Sequence, residues 1–391
     1  MLPGTAFLGK HLLAFLTAVV VPLPGAIGEL WAQGGASTLL KVLLVHWGGW
    51  CLTHASSGLI ARAVGGSRAG RWTRSPPATP PQTPNPDEQE LLRAIETKAL
   101  RRQRIADAHQ RAVRDAWTSA ACAAYALLPF VGPAPALVCT LQASLLHGQR
   151  LPRSLGLGPA APLVISASST AAAAIGLGWL RAETVAKVFQ TYSGQRGSIP
   201  FLGSAQAVHV ELLSAATFAL GFRVFALRGL VLRNIQAILT TVVVGASSSL
   251  MLTPVAARLS GLSPALCLML SQRSVTAPFA LAGAAALGPT ISPVLTASVV
   301  SIGAIHCAIS GLRILARLGL SSQRHPVARG LAMGCSSYGV GTGTLLQEDE
   351  EEAAGVSSAA LVLMGLVHAI LCSHGGTVRL LRRLAGAGGV V

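Results

Sequence analysis

The chain has 391 residues with a formal net charge of +16, 51% of them hydrophobic and 11% charged, and its mean hydropathy is +0.57. Soluble domains carry about 25% charged residues, so this balance excludes an ordinary water-soluble domain and points to a lipid bilayer. The basic residues lie between apolar runs without interleaved aromatics, the pattern of short positive loops on one membrane face, and no nucleic-acid partner is expected.

In chain order, apolar runs at 12–30 and 39–60 come first, each near the roughly 20 residues a spanning helix needs. Residues 1–64 thus form an N-terminal membrane segment. A linker comes after it, with Ser75-Pro76-Pro77 and Pro80-Pro81 at its centre, stiff and extended. Asp87 with Glu90 then opens a charged helix, by a capping box, with Leu91, Leu92, Ile95 and Leu100 along one side. Lys98, Arg101, Arg102, Arg104, Arg111 and Arg114 make it basic, suited to water or to anionic headgroups. Linker and helix together occupy 65–116.

Further apolar runs occupy 117–146, 157–180, 212–227, 235–255, 291–312 and 356–372. With two more segments that carry motifs, the expectation is an all-α integral membrane fold of about ten transmembrane or re-entrant helices, its membrane domain covering 117–391. Arg223, Arg228 and Arg233 form one basic connection, and Arg313, Arg317, Arg324 and Arg329 another. Both lie on one face only if 262–287 enters and leaves the membrane on the other; Arg258 on that opposite side counts against this.

Two apolar stretches are interrupted by Gly, Pro, Ser and Thr: Arg273-Ser274-Val275-Thr276-Ala277-Pro278, and Gly330 to Thr342 with Ser336-Ser337-Tyr338-Gly339-Val340-Gly341. Hydrocarbon tolerates broken helices only where the freed backbone faces protein, water or a polar ligand, and a pair of breaks marks the binding site of many carriers. Pro278, Gly334, Gly339 and Gly341 are the expected breakers. Between Trp117 and Leu346 the acids are Glu183 and Glu211, which disfavours a cation antiporter built on paired carboxylates. Glu211 beside His209 is the candidate for ion coupling, or else sits in water at a span entry. Free helix N-termini, the hydroxyls of Ser274, Thr276, Ser336, Ser337, Thr342 and Thr344, and the Arg273 guanidinium suit a small hydroxylated organic anion. The same small residues also serve plain helix packing, and an Arg at a helix end also snorkels.

Catalysis finds no support. No HExxH, GxSxG or GxxxxGK[ST] string occurs, the histidines of the apolar segments are isolated, and the seven cysteines show no CxxC spacing; neither metal nor cofactor is expected. Glu348-Asp349-Glu350-Glu351-Glu352 reads as a solvated loop rather than a divalent-cation site.

The segments Leu262-Ser263-Pro264, Arg273-Ser274-Val275-Thr276, His325-Pro326-Val327-Ala328-Arg329-Gly330 and Ser336-Ser337-Tyr338-Gly339-Val340-Gly341-Thr342 resemble, in that order, the LrgB/CidB membrane proteins, most strongly over 212–371. The wording around Arg273 and Ser336 is most similar to the plastidal branch. The resemblance implies a helical carrier that exports glycolate and imports glycerate across the chloroplast inner envelope in photorespiration, with 1–64 a short LrgA-like counterpart. The substrate site it implies comprises Arg273, Ser274, Thr276, Ser336, Ser337, Tyr338 and Thr342. Its partners would be small organic anions and the lipid bilayer, and a homo-oligomer is compatible with it. The bacterial members also suggest a holin-like regulator of cell-wall hydrolases, and a non-transporting scaffold stays open. Tyr338 stands where the family usually has His, Thr344 where many bacterial members have Arg, and the acidic run is longer than the family pattern. No transit peptide is read before the first apolar run.

Overall fold

The computed structural model describes residues 23–69, 105, 108–109, 111–127, 133–148, 161–180, 221–222 and 224–387. The expected linker and most of the basic helix lie outside them. The described residues form α1 (Leu23–Ala69), α2 (Pro133–Gly148), α3 (Ala161–Leu180), α4 (Arg228–Arg233), α5 (Ile235–Leu259), α6 (Pro264–Ser271), α7 (Ala277–Leu287), α8 (Pro293–Arg317), α9 (Pro326–Gln347), α10 (Glu351–Ser373) and α11 (Gly375–Ala385). A further helical stretch covers 111–126, so the apolar run 117–146 holds parts of two helices. Among the described residues, α5, α8 and α10 are long and apolar enough to cross a membrane, and the expected count of about ten transmembrane or re-entrant helices is not confirmed by them. The molecule is an all-α membrane protein.

The reversal of polarity in α1 shows what surrounds it. Leu40, Leu44, Leu52 and Leu59 face outward, whereas His46, Thr53, His54 and Ser57 are buried. Water drives apolar side chains inward and polar ones outward; here large apolar side chains face outside while hydrogen-bonding groups are buried beside Val42, Trp50 and Ala61, as suits a lipid surrounding. Gly34 and Gly35 kink α1 near its start, Gly35 with φ 64°, a conformation that glycine adopts without steric cost. Helices α2 and α3 pack through Leu137, Leu141, Ala174 and Leu177.

The core of the molecule is two hairpins that enter the membrane and turn back. A straight helix from Pro264 to Leu287 would part its ends by about 35 Å. Instead Leu262 and Leu266 share a buried cluster with Leu287, Ile291 and Leu381, and Arg382 of α11 donates Nε to the Leu287 carbonyl (3.1 Å). Helices α6 and α7 thus form a hairpin whose two ends lie on one face, as the charge pattern required. Arg258, at the end of α5, donates to the Arg383 carbonyl on that same face (3.2 Å).

Helix α9 doubles back in the same way. Tyr338, with φ 41° and ψ −130°, breaks it. The β-carbon that Gly341 lacks would stand 2.5 Å from the Met333 carbonyl, although eight residues of straight helix cover about 12 Å. At its open end Arg329 grips Glu350 with Nε and Nη2 (2.7 and 2.5 Å) and donates Nη1 to the Leu320 carbonyl (2.8 Å). Glu350 therefore leaves the expected solvated loop and becomes half of a buried ion pair. Gly334 and Gly330 let α10 press against the first arm, backbone to backbone.

The order is then spanning helix α5, hairpin α6–α7, spanning helix α8, hairpin α9, spanning helix α10. Helix α5 runs from the face of Arg233 to that of Arg258, and the first hairpin dips from the latter. Helix α8 runs the opposite way, and α9 dips from the face of Arg317 and Arg329. Two units of spanning helix and hairpin thus follow one another in opposite directions, an arrangement also found in inverted-repeat membrane folds.

Candidate functional site

Helix α6 stops at Ser271, a single 3-10 turn covers Gln272–Ser274, and Val275 and Thr276 are extended before α7 starts. Pro278 lies in the first turn of α7, where its missing N–H costs nothing. The turn is fully buried, so its polar groups need partners. Gln272 Oε1 meets His368 Nε2 (2.7 Å) and Gln272 Nε2 donates to Ser271 (2.9 Å). Ser274 and Ser249 share a hydroxyl hydrogen bond (2.5 Å).

Arg273 is 2% exposed. Its Nη2 donates to Thr53 Oγ1 on α1 (3.0 Å) and its Nε to Thr253 Oγ1 on α5 (3.2 Å). Its Nη1 is buried without a hydrogen-bond partner, and among the described residues no carboxylate pairs with it. Gly49 makes the room: a β-carbon there would lie 2.9 Å from three guanidinium atoms. Arg273 lines a half-open cavity of about 350 Å³ between α1 and α5, whose lining extends past Thr253 and Ala256 to Ser260, toward the face of Arg258.

The second break sits beside the first. The β-carbon that Gly303 lacks would be 3.0 Å from the Tyr338 hydroxyl and 3.7 Å from the Arg273 carbonyl, so both hairpin tips converge on α8. The Tyr338 hydroxyl donates to the Val300 carbonyl. Trp50 Nε1 donates to Ser337 (3.0 Å), and His54 bridges Ser336 (2.8 Å) and the Gly311 carbonyl (3.1 Å). That carbonyl ends the π-turn Cys307–Gly311 in α8, where a widened turn frees a backbone acceptor. Thr342 bonds to Ser357 of α10 (2.8 Å).

Of the expected substrate residues, Arg273 alone lines the cavity. Ser274, Ser336, Ser337, Tyr338 and Thr342 join helices to one another, and Thr276 caps α7 without a side-chain hydrogen bond. The backbone of α9 breaks at Tyr338 beside Gly339, while Gly334 and Gly341 serve close packing. His209 and Glu211 lie outside the described residues. Sequence reasoning missed Gly49, Thr53, Ser249 and Thr253. The buried-polar spacing of Gly49, Thr53 and Ser57 on an otherwise apolar segment is the signal that could have found the α1 face.

A family model described as the LrgB-like family matches residues 145–374. The chain is 31% identical over 212 residues, 54% of its length, to the Arabidopsis thaliana protein named plastidal glycolate/glycerate translocator 1, chloroplastic. It is 29% identical over 161 residues, 41% of its length, to an uncharacterized protein of Haemophilus influenzae. The matched part spans 40% of the plant relative and 67% of the bacterial one. No solved structure matches. With more than half of its length matched by that model, the chain belongs to the LrgB-like family.

Proposed function

We propose that the chain is a membrane carrier of small monocarboxylates and that Arg273 binds the carboxylate. One observation carries this: a buried guanidinium, without a carboxylate partner among the described residues, stands where two oppositely directed hairpins meet. A buried cation without a counter-ion is costly, and an incoming carboxylate would remove that cost with charge-assisted hydrogen bonds to the guanidinium. The free N-terminus of α7 at the same tip adds partial positive charge.

The plant relative's name supports glycolate and glycerate as substrates and a plastid as the location; their exchange across the inner envelope is part of this proposal. In this reading the described conformation opens toward the face of Arg258. Passage to the other face moves the α9 hairpin against α1 and exchanges the Trp50–Ser337 and His54–Ser336 bonds, which would bring Ser336, Ser337 and Thr342 to the substrate. Proteoliposomes preloaded with glycerate, against empty ones, test this with labelled glycolate. The expected result is uptake stimulated by internal glycerate and lost in Arg273→Gln. Equal uptake by Arg273→Gln, or none by folded protein, overturns the proposal; the latter returns weight to a regulator or scaffold.

A further inference from the structure

The cavity is larger and less polar than a two-carbon hydroxy acid needs. At about 30 Å³ per water-sized group, its volume of about 350 Å³ admits a ligand roughly twice the size of such an acid. Four of its five hydroxyls already donate to backbone carbonyls. Thr53 donates to the Gly49 carbonyl (3.0 Å), Thr253 to that of Ser249 (2.6 Å), Ser248 to that of Gly245 (3.2 Å) and Ser260 to that of Ala256 (2.9 Å). Ser249 is taken up with Ser274. Nη1 of Arg273 has no partner but is itself buried, so a ligand would meet the edge of the guanidinium that lines the cavity. The remaining wall is Leu44, Val45, Leu52, Leu252 and Ala256, and Leu44, Leu52 and Leu252 are 61%, 56% and 52% exposed at its outward rim.

One cation in the lining, an apolar wall and a lateral rim of leucines fit an amphiphile. We infer that the cavity takes a monocarboxylate with an apolar chain, its carboxylate on Arg273 and its chain along Leu44, Val45 and Leu252, entering sideways between α1 and α5. This rests on the reading of Arg273 as the anion site and extends it to a different ligand class, one that needs no hydroxyl.

The test is a binding series of straight-chain monocarboxylates from acetate to octanoate, with glycolate alongside, on the full chain in lipid nanodiscs. Affinity is expected to rise about fourfold per added methylene, the equivalent of about 0.8 kcal/mol, until the cavity is filled. The rise is absent in Arg273→Gln and shallower in Leu252→Ala and Leu44→Ala. If glycolate binds but the series is flat or falls, this inference is overturned and the anion-carrier reading stands. An equal rise in Arg273→Gln would mark partition into lipid and also overturns it. If no carboxylate binds at all, both readings fall.

Discussion

Neutralising Glu350 should loosen the α9 hairpin at its base. Arg329 and Glu350 lie 21 residues apart, about 32 Å along a straight helix, yet they meet in a two-point ion pair whose side chains are 7% and 11% exposed. The pair therefore exists only if α9 returns to the face it entered from. Removing one partner of a buried pair strands the other charge and costs about 3–5 kcal/mol. The Leu320 carbonyl still holds one arm of Arg329, so Glu350→Gln should fall at the low end, about 3 kcal/mol. Arg329→Met with Glu350→Leu, which strands no charge, should cost much less than the sum of the single changes. The assay is a double-mutant cycle on unfolding free energy in bicelles. A coupling energy near zero, with the single changes simply adding, would refute the buried pair and with it the doubled-back course of α9.

Gly49→Ala should weaken glycolate binding about tenfold or more and also lower thermal stability, because the new methyl would meet the guanidinium at 2.9 Å and displace charge-assisted bonds worth about 1.5–3 kcal/mol; an unchanged affinity would count against Arg273. Gly334→Val should cost at least about 1–3 kcal/mol, since even its β-carbon would lie 2.5 Å from the Ser357 carbonyl and 2.8 Å from Ala360, and thermal denaturation in detergent reads this. Tyr338→Phe removes the bond to the Val300 carbonyl and should cost about 1 kcal/mol by the same measurement. In a cysteine-free background, cysteines at Ser263 and Thr290 should be labelled from one side of the membrane and a cysteine at Ser321 from the other; labelling of Ser263 and Thr290 from opposite sides would mean that 264–287 crosses.

The order of amino acids alone dictated the surroundings and the long helices. Apolar runs at 235–255, 291–312 and 356–372 appear as α5, α8 and α10 within a few residues, because length and hydropathy suffice to specify a helix that satisfies its own backbone in lipid. It also located both interruptions, since Pro, Gly, Ser and Thr announce where a helix can stop. The course of the chain beyond an interruption is not a local property. Tyr338, not a glycine, adopts the left-handed backbone angle in α9, because the packing of Gly341 on Met333 and the tie from Arg329 to Glu350 hold the arms together. Arg273 was visible as a candidate, but its partner Thr53 stands 220 residues earlier, in a segment that looked like a plain span. Glu350 looked solvated because its neighbours are acids; only the return of α9 brings Arg329 to it. Local chemistry decides where a membrane helix ends, whereas the direction it then takes, and which hydroxyl faces which charge, depend on contacts between distant helices that no short window of sequence contains.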